Sequence, residues 1–229
     1  MRPPGMSNRH VAIDGPSASG KTVVSRALAA RLGTLYLDTG AMYRAVAYLA
    51  LRNAVELDND AALVEMFAGH SLSIVADEAA ANGYRVLVDD VDVSSQLTMP
   101  DVTAAVSTVA SAPQVRAALV DRQRAIAAAE PVVMAGRDIG TVVLPDARFK
   151  FFLTASLPVR AKRRLLELLA SGIDASGSDV AAQLAERDRL DASRATAPLR
   201  AAADAIRIDS TQIDIDAVIE HMLAAMGAR

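Results

Sequence analysis

The stretch AIDGPSASGKTVVSRALAARLG, residues 12–33, sets two glycines, a lysine and a threonine between a short apolar run and a run with helical spacing. The apolar run, His10–Ile13, predicts a buried strand, although periodicity alone does not separate it from a helix. Gly15 and Gly20 demand a turn, TVVSRALAARL from Thr22 predicts a helix, and Gly33 stands where its C-cap belongs. Gly15, Pro16, Ser17, Ala18, Ser19, Gly20, Lys21 and Thr22 therefore fit G-x-x-x-x-G-K-[ST] with the strand before it and the helix after it that the motif needs.

That junction is built to hold phosphate. Glycines let successive backbone N–H groups turn inward around an anion, and the start of the helix adds partial positive charge. Lys21 would reach the β- and γ-phosphates of a nucleoside triphosphate and Thr22 would offer its hydroxyl to Mg²⁺. The loop does not say what receives the phosphate, since motors, GTPases and small-molecule kinases share it. No N-K-x-D stretch reads guanine, and VVMAG runs into Arg137-Asp138 instead of a metal-binding acid followed by glutamate, so a phosphotransferase leads.

Bulk properties narrow the setting. At 229 residues and 52% hydrophobic, the chain suits one α/β domain or one with a small insertion. A net charge of −3 gives no general attraction to nucleic acid or anionic lipid, so any anion site is local. Cysteine is absent, which excludes disulfides and thiolate metal sites. No apolar run reaches the ~20 residues that span a bilayer, and MRPPGMSNRH has no signal core, so residues 1–9 read as a flexible lead-in and the protein as cytoplasmic. Nothing in the sequence demands more than a monomer.

Further apolar runs at TLYLD (34–38), PVVMAG (131–136), FKFFLTA (149–155) and AIRIDS (205–210) alternate with helical stretches such as GAMYRAVAYLALRN, which predicts a mainly parallel sheet covered by helices. LSIVADEAAANGYRVLVDDVDVS (72–94) reads as an antiparallel hairpin around an Asn-Gly turn, and LASGIDASGSD (169–179) as a mobile flap or an ordinary surface loop. Arginines recur at Arg44, Arg116, Arg137, Arg160, Arg163, Arg164, Arg187, Arg189 and Arg194. Guanidinium pairs bidentately with phosphate, and transfer between two anions needs such screening. RAKRR and ERDRLDASR taken alone would equally serve as solvated helix faces.

IDGPSASGKT, LDTGAMYRA, VVMAGRDIGTVVLPDA, RAKRR, ERDRLDASRATAPL and IDST, in this order from His10 to Thr211, closely resemble the bacterial cytidylate kinase family. The resemblance implies a five-stranded P-loop nucleoside monophosphate kinase core within a single domain, residues 10–229, with a nucleotide-binding insertion at about 63–104 and a lid at about 160–194. It implies transfer of the γ-phosphoryl of ATP to CMP or dCMP, with Mg²⁺ and no covalent intermediate. Lys21, Arg137, Arg187 and Arg194 would be catalytic. Arg160 and Arg164 would join the P-loop residues at ATP, and Thr39, Tyr43, Arg44, Ser107, Arg116, Asp138 and Asp191 would join the arginines at CMP. Cytosine offers an N4 donor and an N3 acceptor, which Asp138 and the pair Arg116 and Ser107 can match. The chain departs from the family in having Thr22-Val23 after the lysine and Thr39 where serine is common.

A nucleoside monophosphate already carries its nucleophilic oxygens, so no base is required. That suits a chain with no cysteine and with His10, His70 and His221 in unrelated contexts. Two rivals remain at this level: a kinase of the shikimate or dephospho-coenzyme-A type, with Asp38 as base for a hydroxyl acceptor, and a nucleotide-gated binding module.

Overall fold

Val11 and Ile13 pack on one face of a sheet and Ala12 on the other, so one short strand feeds two cores. In the computed structural model, which describes residues 9–77, 79–80, 82–194 and 196–227, this strand is β1, Val11–Asp14, buried along its whole length. The expected lead-in lies outside the described residues apart from Arg9.

The chain continues as α1 (Lys21–Leu32), β2 (Leu35–Asp38), α2 (Thr39–Arg52), α3 (Asp60–Ala68), β3 (Leu72–Ala76), β4 (Tyr84–Val88), β5 (Val91–Asp92), α4 (Pro100–Val109) and α5 (Pro113–Ala129). It then forms β6 (Val132–Gly136), β7 (Phe149–Thr154), α6 (Leu157–Ala170), α7 (Gly177–Ser193), β8 (Ile206–Asp209) and α8 (Ile215–Met226). Strands β2-β6-β1-β7-β8 form a five-stranded sheet, parallel throughout. Each of the five apolar runs becomes one of its strands, and β6, and β1 as far as Ile13, are buried on both faces and apolar without alternation, as a covered parallel sheet requires.

One face of the sheet packs Val24 and Leu28 of α1 and Val218 and Met222 of α8 against Val11, Ile13 and Phe151. The other holds the larger core, in which α2, α4 and α5 meet Ala12, Leu37 and Met134. Gly33 ends α1 at φ 61°, in the left-handed conformation expected of a C-cap. Pro100, Pro113 and Pro158 sit in the first turns of α4, α5 and α6, where a missing N–H costs nothing.

The segment 72–94 is antiparallel, as the expected hairpin requires, but it has three strands, and the tight turn falls elsewhere than at Asn-Gly. Asn82-Gly83 closes a longer β3–β4 connection with Gly83 at φ 77°. The two-residue turn is Asp89-Asp90, between β4 and β5, with both residues at positive φ. Aspartate tolerates this region better than most residues do, and Asp89 is held there by accepting hydrogen bonds from Ser71 N at 2.9 Å and pairing with His70 Nδ1 at 2.6 Å. His221 lies exposed on α8. The Gly- and Ser-rich stretch after α6 joins it to α7 as a helical hairpin, whose own small core of Ala161, Val180 and Leu184 receives Ala18 of the P-loop.

Candidate active site

The C-terminal ends of the parallel strands bring together segments far apart in sequence, where ligands of open α/β sheets bind. From β1 springs the loop Gly15–Gly20. A Cβ on Gly15 would lie 2.0 Å from the carbonyl oxygen of Leu153, so the loop can leave β1 past β7 only with glycine there. Ala18 and Gly20 take positive φ, and Lys21 opens α1. Its Nζ donates to Pro16 O at 2.5 Å. Burial, then the neighbouring Arg137 guanidinium, holds the ammonium pKa of Lys21 well below its ordinary value; Arg187 adds to this. The lysine of the loop and the arginines of the opposite wall therefore share one space.

Helix α6 supports the loop from outside. Arg160, buried, donates to Ala155 O at 2.9 Å, Ser17 O at 3.2 Å and Asp188 of α7 at 2.7 Å. Arg163 donates to Ser19 O at 3.4 Å and to Ser210 Oγ and O at 3.0 and 2.7 Å. Arg164 is not brought to the loop: it pairs with Glu167 at 3.2 Å on the same helix. Arg189 likewise forms an exposed pair with Glu186. Thr22 is half-buried in the first turn of α1.

Across from the loop, Asp38 caps α2 by accepting from Gly40 N at 2.9 Å, and its other oxygen accepts from Arg44 at 3.0 Å and from the Tyr84 hydroxyl at 2.8 Å. Burial pushes the Asp38 carboxyl up, but Arg44 and Tyr84 outweigh it and hold it below the usual carboxylate range. Thr39 donates to Ala135 O at 2.9 Å. A Cβ at Gly136 would fall 2.7 Å from the Thr39 hydroxyl and 2.6 Å from Ile139 Cδ1, which explains the glycine before Arg137.

The turn after β6 carries Arg137 and Asp138 and is clamped from β1. Buried Asp14 accepts from Ile139 N and Gly140 N, both at 2.8 Å. Burial pushes its pKa up to about 6, although those two bonds oppose the shift. Arg116 donates to Ala110 O at 3.0 Å and pairs with Asp138 in a fully buried bridge, its guanidinium 5.5 Å from the ring centroid of Tyr43. Burial raises the Asp138 pKa, with Arg116 opposing, and pushes Tyr43 up to about 12. Asp60 holds the start of α5, accepting from Gln114 N and Val115 N at 2.8 and 3.1 Å, which fixes Arg116 one residue on.

Helix α7 closes the ring. Asp191, buried, takes Arg137 at 2.8 Å on one oxygen and Arg194 at 2.5 Å on the other. Burial and the Arg137 charge lower the Arg187 pKa to about 10. The Nε atoms of Arg187 and Arg194 are buried without a hydrogen-bond partner among the described residues. Ser107 is half-buried on α4, a helix that packs on α7. The structure thus gathers Lys21, Arg44, Arg137, Arg187 and Arg194 around one space with Asp38, Asp138 and Asp191. Arg163, Tyr84, Asp14 and Asp60 were not among the expected site residues; their part shows only in long-range bonds.

Among the described residues no group of three His, Cys, Asp or Glu side chains is placed to hold a metal, and no helix is long and apolar enough to cross a membrane.

The sequence matches the family described as Cytidylate kinase over residues 11–228. A cytidylate kinase from Rhodococcus jostii (strain RHA1) is 48% identical, the alignment covering 96% of this chain and 95% of that one. Another from Geobacillus sp. (strain WCH70) is 44% identical over 97% and 98%. Among solved structures, an uncharacterized protein from Eubacterium ventriosum ATCC 27560 has a TM-score of 0.51 at 14% identity, covering 97% of this chain and 100% of its own, a likeness of fold alone. Family match and near full-length relatives agree with the motifs of the loop and its arginine wall, and the chain belongs to the cytidylate kinase family.

Proposed function

We propose that the protein transfers the γ-phosphoryl of ATP to CMP and dCMP, giving ADP and the corresponding diphosphate. The observation that carries this reading is geometric: Asp191 holds Arg137 at 2.8 Å and Arg194 at 2.5 Å, the Nε atoms of Arg187 and Arg194 lie buried, and the buried Lys21 of the P-loop feels the charge of Arg137 and Arg187. Buried cations gathered in this way are relieved by polyanions, and the triphosphate of ATP laid end to end with the phosphate of CMP would meet all of them.

In this reading the loop amides and Lys21 hold the ATP phosphates, and Arg44, Arg137 and Arg194 grip the CMP phosphate with Thr39 and Tyr43 beside it. Arg187 neutralises charge on the phosphoryl group as it moves, and Asp191 meets the sugar. Asp138 accepts from cytosine N4, and Arg116 and Ser107 donate to the base. The acceptor oxygen is already anionic, so alignment and charge stabilisation carry the rate without general-base chemistry. A hydroxyl acceptor would need a base. Asp38, the nearest candidate, has both oxygens engaged and its pKa lowered, which fits a structural carboxylate and disfavours a hydroxyl kinase.

The Thr22 hydroxyl, half-buried in the first turn of α1 beside Lys21, would hold Mg²⁺ together with the substrate phosphates, and the ion would neutralise charge on the transferring group. The α6–α7 hairpin, tied to the loop through Arg160 and to the acceptor wall through Asp191, serves as the lid and keeps water out. The three-stranded sheet forms part of the nucleotide-binding insertion. One chain holds both nucleotides, so a monomer suffices, and the cytoplasm supplies them.

The test is ADP release measured across CMP, dCMP, UMP, AMP and hydroxyl acceptors. The proposal expects CMP and dCMP to lead by kcat/KM. A preferred hydroxyl acceptor, or uniformly slow turnover with a stable macromolecular partner, contradicts it.

A further inference from the structure

Tyr84 opens β4 of the three-stranded sheet, yet its hydroxyl bonds 46 residues away, to the carboxylate that also holds Arg44. The ring is buried and lies 5.8 Å from the ring of Tyr36, tilted by 58°, so packing alone accounts for its aromatic body. It does not account for the hydroxyl. Asp38 already has Gly40 N on one oxygen and Arg44 on the other, and the Tyr84 hydroxyl joins Arg44 on that second oxygen, 2.8 Å against 3.0 Å.

A carboxylate oxygen offers about two lone-pair directions, so two donors on it occupy both and compete for its charge. If the phenol is removed, the guanidinium of Arg44 can settle more fully on Asp38. If it is kept, Arg44 stays divided between Asp38 and whatever lies ahead of it. The guanidinium of Arg44 passes close to Gly40, where an added Cβ would lie 3.2 Å from its Nη1, so the missing side chain there leaves it room. A cavity of about 20 Å³ reaches both Arg44 and Tyr84 between α2 and the small sheet, lined also by Val86 and Leu97. The two side chains therefore meet along a seam between two parts of the molecule.

We infer that Tyr84 is a positioning residue for the acceptor phosphate: by sharing Asp38 with Arg44, its hydroxyl orients that guanidinium and links the seating of the three-stranded sheet to the grip on the nucleotide. This rests on the reading of Arg44 as a phosphate-gripping residue. Tyr84→Phe keeps the ring on Tyr36 and removes only the shared bond.

The experiment is a double-mutant cycle of Tyr84→Phe and Arg44→Lys, with KM for CMP, KM for ATP, kcat and the melting temperature measured for all four proteins. Tyr84→Phe should raise KM for CMP about three- to tenfold, the range of one ordinary hydrogen bond because the phenol acts on the phosphate only through Arg44, and leave KM for ATP and kcat within twofold. In the Arg44→Lys background the same change should have little further effect. A lower melting temperature with KM for CMP unchanged, or effects of the two substitutions that simply multiply, overturns the inference and assigns Tyr84 to packing. A parental KM for CMP in Arg44→Lys overturns the reading of Arg44 itself, and the inference with it. A raised KM in Arg44→Lys beside a parental one in Tyr84→Phe overturns the inference alone.

Discussion

The P-loop presents its polar groups from eight consecutive residues, Gly15 to Thr22, whereas the wall opposite draws its guanidinium groups from α2, α5, the turn after β6 and the end of α7. The first is main chain shaped by glycine; the second is side chain held by shared carboxylates. Asp38 joins Arg44 to Tyr84, Asp138 takes Arg116, and Asp191 joins Arg137 to Arg194. A main-chain cradle is sensitive to added atoms and, Lys21 apart, tolerant of lost side chains. A wall of ion pairs is sensitive to lost charge, because removing a carboxylate leaves its arginine unpaired, and at Asp191 leaves two, Arg137 and Arg194, facing each other.

The largest expected effect lies on the cradle side. Gly15→Ala puts a methyl group 2.0 Å from a backbone oxygen, and should cost about 4 kcal/mol or more, or abolish folded protein, as read by denaturant unfolding. A stable, active Gly15→Ala would break the contrast at once. On the wall side, Asp191→Ala should lower stability by about 3–5 kcal/mol, and inorganic phosphate should restore more melting temperature to the variant than to the parent. Equal gains would mean that the arginines do not form one anion site.

Asp14 sits between the two regions, in β1 but bonded to the turn that carries Arg137 and Asp138. Its pKa is raised from 3.8 to about 6, so the folded state binds this proton more tightly than the unfolded one. The stability so contributed is complete below about pH 4 and is lost as pH rises through about 6. Asp14→Asn removes this dependence. Its stability relative to the parent should therefore rise by roughly 2–3 kcal/mol between pH 4 and 7, and a flat difference would show Asp14 to be ionised throughout. The smallest effect concerns base choice: Asp138→Asn can face either cytosine N4 or uracil O4, and should reduce the CMP over UMP preference in kcat/KM about tenfold. An unaltered preference would remove Asp138 from base reading.

The same contrast explains what the sequence made legible. Main-chain structure follows from local pattern, so the P-loop, its flanks, the five parallel strands and the Gly33 cap could be read directly. Side-chain partnership across long separations could not. RAKRR offers Arg160, Arg163 and Arg164 at adjacent positions around one helix, and only the fold turns the first two to the loop and the third to Glu167. Tyr84 falls within the β-rich 72–94 run and Asp60 within none of the motifs, because their bonds run 46 and 54 residues along the chain. Asp89-Asp90 escaped for another reason: the Asn-Gly signal beside it was stronger by composition, although the strand pairing placed the tight turn on the aspartates.

The most direct measurement is a crystal structure with CMP and a non-hydrolysable ATP analogue bound together. Contact of the analogue's terminal phosphate with Lys21, and of the CMP phosphate with Arg44, Arg137 and Arg194, is the predicted result. A pyrimidine nucleotide bound away from those three arginines would contradict the account.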